Sequence, residues 1–151
     1  MNTFNHQPLI IKRILAGLID YTLIYGFSFA YLFSFGSPDQ DGGFTITGLP
    51  ALIPILIWFL ITVGCESGLG GTIGNSVLGL QAIPENGRNR KLLVSESLKR
   101  HLLDPADMFL FGLVGIITIK NTDKHQRVGD IWAKTIVVPV KSFETKVSDK
   151  R

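Results

Sequence analysis

Apolar residues in this chain come in long blocks, and polar residues gather between them. A soluble domain spreads its apolar positions at helical or strand spacing, so the blocks point to a membrane. The first runs from Leu9 to Phe35. Its apolar core of about 20 residues is enough to cross the hydrocarbon. Gly36 to Gly43 is a short polar turn holding Pro38, Asp39 and Asp41, with no Lys or Arg. The second block is Phe44 to Cys65, and Pro50 and Pro54 predict a kinked or late start. Two helices joined by so short a turn form a hairpin. The expected transmembrane segments are therefore about 10–35 and 45–65.

Beyond Cys65 the pattern changes. Glu66 to Gly74 is glycine-rich and suits a tight exit from the second helix. Val77 to Ile83 and Thr135 to Val140 are β-prone runs that can pair in a small extramembrane sheet. Pro84-Glu85-Asn86-Gly87 between them is a turn signal. Ser95 suits the cap of a short helix, and Asp104-Pro105-Ala106-Asp107 suits the start of another that runs to Ile119. At roughly 15 residues that helix is about 22 Å long, short for a crossing of about 30 Å. It is a re-entrant half-helix or the second half of a kinked span. The predicted fold is an all-α integral membrane protein. It has a two-helix transmembrane hairpin, a third membrane-embedded segment at about 104–119 and a small cytoplasmic β element. Residues 1–140 form one domain, followed by a flexible polar tail at 141–151.

Charge sharpens this picture. Hydrophobic residues make up 46% of the chain, its mean hydropathy is +0.30 and its net charge is +3. The basic residues flank the apolar blocks, which favours an anionic lipid surface over nucleic acid. Lys and Arg occur at both termini and in the middle loop but not in the turn after the first helix. The positive-inside rule then places both termini and that loop in the cytoplasm, with two full crossings of the cell (inner) membrane. The first block is too long for a signal peptide, contains Asp20 and lacks a small-residue cleavage site. The single Cys65 excludes an intrachain disulfide. His6, His101 and His125 have no metal-ligand spacing, and the glycine cluster has no Gly-Lys-Ser/Thr after it. No nucleophile–base set stands out, so neither an enzyme nor a bound cofactor or metal is expected.

The chemistry lies in the ionisable residues set against apolar segments. A carboxylate such as Asp20 inside a transmembrane helix costs at least a few kcal/mol unless it faces a partner or water. Arg13 lies two turns earlier on the same face. Their backbones are about 10.5 Å apart along the axis, and Arg13 leans toward the N-terminus, away from Asp20. Arg13 should therefore meet an acid from another segment or a lipid phosphate. Asp20 should find a donor or cation elsewhere, such as the third segment. Asp104 and Asp107 are helix caps or an acidic patch at the membrane boundary, near Arg100. Asp130 is locally a turn or cap residue, and Trp132 beside it suits a membrane interface.

With these residues in view, the chain resembles the RDD family of membrane proteins, named for one arginine and two aspartates. The resemblance begins at Arg13-x-x-Ala16-x-x-Ile19-Asp20. It continues through Gly71-Thr72-x-Gly74, Leu78-Gly79-Leu80 and Lys99-Arg100. It ends at Arg127-Val128-Gly129-Asp130-x-x-Ala133-x-Thr135-x-Val137-Val138. Asn75 stands where the family often has Lys. The resemblance implies that the named residues are Arg13, Asp20 and Asp130; for some members of the family transport, including cation/proton exchange, is proposed. Two functions stay open: a transporter or transport accessory in which Asp20 binds a proton or small cation, or a non-transporting scaffold whose Arg and Asp residues are structural ion pairs. Two or three helices enclose no polar path, so transport predicts a homo-oligomer or a partner membrane protein. The small-residue face Gly26, Ala30 and Ser34 is a candidate contact.

Overall fold

A computed structural model describes residues 9–86, 90–107 and 109–140. Arg88, Gly87 of the turn signal and the 141–151 tail lie outside the described residues.

Helix α1 spans Ile10–Phe35 without interruption. The second span covers Leu49–Leu69. It opens with a 3-10 turn at Leu49–Leu52, continues as α2 (Ile53–Phe59), passes through a π turn at Leu60–Gly64 and ends as α3 (Cys65–Leu69). Both spans are long and apolar enough to cross a bilayer, and only 17% of each is buried within the chain. Pro50 and Pro54 sit near the starts of their helical turns, where a missing N–H costs nothing. The span starts late, at Leu49, as these prolines predict. Its far end also runs past Cys65, so Glu66 belongs to the helix and not to the glycine-rich loop. The chain leaves at Gly70, whose N–H returns to the Glu66 carbonyl at 3.0 Å.

The linker holds a short ribbon that the sequence did not predict, β1 (Ser37–Pro38) paired antiparallel with β2 (Phe44–Thr45). Asp39 closes it by accepting from Asp41 N–H at 3.0 Å and Gly43 N–H at 2.7 Å.

At the opposite end of the hairpin the remaining elements gather. Helix α4 (Ile73–Val77) is capped by Thr72, whose hydroxyl accepts from the Asn75 N–H. Strand β3 (Leu80–Pro84) pairs antiparallel with β4 (Thr135–Pro139), with Ala82 opposite Val137. The two β-prone runs thus pair across more than fifty residues, and Ile83, Ile136 and Val138 form their apolar core.

Helix α5 (Val94–Leu102) starts one residue before Ser95. Its first turn is closed by Glu96, which accepts from Leu93 N–H at 2.9 Å, not by the exposed Ser95. The expected single helix from Asp104 divides into α6 (Asp104–Asp107) and α7 (Phe109–Asn121). Val94–Asp107 and Gly112–Asn121 meet at 113°, so this segment is a broken span or a re-entrant loop. Helix α8 (Val128–Ala133) leads into β4.

Two glycines decide how these pieces meet. Gly74 lies against the Ala16 backbone of α1, so a Cβ there would collide with the Ala16 carbonyl. Gly129 lies in the same way against the Arg100 carbonyl. These contacts bring α4 onto α1 and α8 onto α5.

Candidate functional site

The contacts at Gly74 and Gly129 draw ionisable side chains from α1, α3, α5, α6 and α8 into one cluster. Asp130 is its centre and is fully buried. One carboxylate oxygen pairs with Arg13 and accepts the Arg127 N–H at 3.0 Å. The other accepts from Arg100 Nη1 at 2.6 Å. Burial alone would raise the Asp130 pKa, but Arg100, Arg13 and Arg127 outweigh it and hold the carboxyl well below the usual carboxylate range. Asp130 caps its own helix, as its local sequence suggests. It also joins α1 to α5, which local sequence does not show. Arg13 completes its contacts by donating to the His125 carbonyl at 2.7 Å. An acid from a distant segment is thus the partner of Arg13.

Arg100 continues the chain of pairs. Its Nε lies 3.3 Å from Glu66, which is fully buried and also accepts from the Ser97 hydroxyl at 2.7 Å. His101 Nδ1 is 2.8 Å from Asp104, and its Nε2 is 3.4 Å from Glu66. Asp104 also accepts from the Tyr21 hydroxyl at 2.8 Å and faces Arg127 at 3.3 Å. Its carboxylate therefore links α1, α5 and α8 and does not cap the helix it begins. Asp107 serves another helix too: it accepts the N–H groups of Val128 at 2.9 Å and Gly129 at 3.2 Å. It neutralises the positive start of α8, where free N–H groups await acceptors. Burial lowers the Arg127 pKa, but Asp104, Asp130 and Asp107 outweigh it and raise the pKa above its ordinary value.

Asp20 stands apart. It is 7% exposed and makes no ion pair among the described residues. Its Oδ1 accepts the Gly74 N–H at 2.7 Å. The expected donor thus comes from the glycine-rich turn and the start of α4, not from the third segment. A cavity of about 60 Å³ adjoins Asp20, walled in part by Tyr21, Thr62, Thr72, Asn75, His101 and Asp104. Thr62 reaches this wall from the π turn, where its hydroxyl donates to the Trp58 carbonyl at 2.6 Å. No group of three or more His, Cys, Asp or Glu side chains suited to a metal ion occurs among the described residues.

Sequence reasoning singled out Arg13, Asp20, Arg100, Asp104, Asp107 and Asp130, and the structure brings all six to one end of the hairpin. It passed over Glu66, His101, Arg127 and Tyr21 as ionic partners. Glu66 directly after an apolar block was a usable signal, because a carboxylate so close to hydrocarbon needs a cation. His101 beside Arg100 on a helix was another.

The fold and cluster define a helical membrane protein whose apolar hairpin is closed at one end by a buried network of arginines and carboxylates. The sequence model of the RDD family matches residues 7–134, and the chain belongs to that family. No curated protein and no solved structure matches it.

Proposed function

We propose that this protein handles protons or small cations as a transporter or transport accessory, with Asp20 as the exchanging group. The observation that carries this reading is a charge imbalance. The cluster holds five acids (Asp20, Glu66, Asp104, Asp107 and Asp130) and four bases (Arg13, Arg100, His101 and Arg127). Four of the acids have ion-pair partners. Asp20 is the remaining one, and it borders a small cavity. With His101 protonated, one extra proton or monovalent cation at Asp20 balances the cluster. Arg13 and Asp130 belong to the fixed part: their contacts lock the helices around Asp20.

The protein sits in the cell membrane with the ionic end, both termini and the β3–β4 sheet in the cytoplasm. Arg13, Arg100 and Arg127 are tied up in ion pairs. Lys12, Lys99, Lys120 and Lys134 are exposed at this end and meet anionic headgroups. The linker at the far end carries no Lys or Arg. The mostly exposed spans form no enclosed path, so a homo-oligomer or a partner membrane protein completes one. The exposed Gly26, Ala30 and Ser34 face of α1 is open for that contact.

The deciding experiment is ion-gradient flux in proteoliposomes with the wild type and Asp20→Asn, matched for insertion and oligomeric state. Flux in the wild type that disappears in the folded variant supports the reading. Absence of flux in both, across protons, sodium and potassium, favours the scaffold, in which the whole cluster is structural.

A further inference from the structure

Several buried polar atoms near Asp20 lack hydrogen-bond partners. His101 Nε2, Asp104 Oδ1 and Arg100 Nε make no hydrogen bond to the chain, although each has an opposite charge 3.3–3.4 Å away. All three residues are at least 95% buried, and all three line the cavity that Asp20 also lines. Buried polar atoms without a partner generally mark ordered water. A water needs roughly 10–15 Å³ and two to four polar partners, so about 60 Å³ with this lining takes a few.

We propose that this cavity holds ordered water linking the Asp20 carboxyl to His101 Nε2, which makes His101 the second proton-carrying group of the site. The inference rests on Asp20 being the exchanging group. The geometry fixes the roles of the two imidazole nitrogens. Nδ1 keeps its proton, held by Asp104 at 2.8 Å. Nε2 is the labile position. A proton leaving Nε2 passes to water, and water passes one to the Asp20 carboxylate. The imidazolium becomes neutral imidazole, the carboxylate becomes a carboxylic acid, and total charge is unchanged. Asp20 can take that proton because a carboxylate accepts at about four lone-pair sites, while the described residues supply the single Gly74 donor.

The groups that bear on this pair come from every packed element. Glu66 of α3 and Asp104 of α6 flank His101. Arg100 of α5 and Arg127 of α8 hold those two acids. Tyr21 of α1 binds Asp104. Asp20 itself faces α4 and has Cys65 within electrostatic reach.

The test is proton-detected NMR of the full chain in lipid bilayers with 15N-labelled histidine, His101 being assigned by the signal missing in His101→Gln. A water cross-peak at the His101 Nε2 proton is expected in the wild type, and Thr62→Val, which replaces a polar wall atom, should weaken it several-fold. In folded Asp20→Asn the His101 midpoint should fall by about one pH unit, because losing a nearby anion disfavours the imidazolium. A dry Nε2 in the wild type overturns the proposal and needs no variant to show it. An unchanged midpoint in folded Asp20→Asn overturns it as well. A wet, coupled pair in a protein with no measurable flux would keep this link and discard transport.

Discussion

In the half of the molecule where α1 begins, eight acidic and basic side chains from five helices interlock, and most are buried. Where α1 ends, the linker offers Asp39 and Asp41, both exposed. Asp39 bonds only to backbone N–H groups two and four residues away. The first region joins segments far apart in the chain, while the second only reverses its direction. Removing one charge should therefore be costly at the ionic end and minor at the linker.

Asp130→Asn should have the largest effect. It leaves Arg13 and Arg100 buried without their shared anion, and breaking such a pair costs about 3–5 kcal/mol. Melting in detergent should show a large drop, and a variant as stable as the wild type would remove the basis for contrasting the two ends. Acid should act on the same group. Its folded pKa is depressed, so its contribution is full above its ordinary value of 3.8 and is lost as pH falls through the lower folded value. Any change in flux between pH 5 and 8 must then arise elsewhere in the cluster.

Gly74→Ala comes next. The added methyl meets the Ala16 backbone, and overpacking of this kind costs typically 1–3 kcal/mol. It should also loosen the Gly74 N–H bond to Asp20. Thermal melting together with the Asp20 carboxyl infrared band checks both effects, and an unshifted band would mean that Asp20 does not depend on α4.

Asp39→Ala should do least. It removes hydrogen bonds at an exposed turn, worth about 1 kcal/mol in total. A melting curve within that margin, with the ionic end unchanged, sharpens the contrast. A collapse comparable to that of Asp130→Asn would contradict it.

The spans were legible because hydropathy is summed along one helix, and α1 appears almost where its apolar block lies. The late start of the second span was legible from its prolines, but its far end was not, because Glu66 obscures a boundary drawn by hydropathy. The pairing of β3 with β4 was anticipated, but the first run was drawn too early: Val77 ends α4, and the strand begins at Leu80. The bend was expected at Asp104-Pro105 but falls after Asp107, because α6 (Asp104–Asp107) continues from α5 before the chain turns. The ionic partners were legible only by elimination. The direction in which Arg13 leans ruled out Asp20, but nothing local indicated Asp130.

The sequence alone determined that this is a helical membrane protein of the RDD family and which charged residues carry its signature, because hydropathy blocks and motif spacing are properties of the chain read in one dimension. Tertiary structure decided what each charge does. Arg13 reaches Asp130 across 117 positions and Asp20 reaches Gly74 across 54. Those distances close only because Gly74 and Gly129 have no side chain where two backbones touch. Coulomb attraction and desolvation depend on separation in space, so Asp130 became the locked centre of the cluster and Asp20 the acid without a cation.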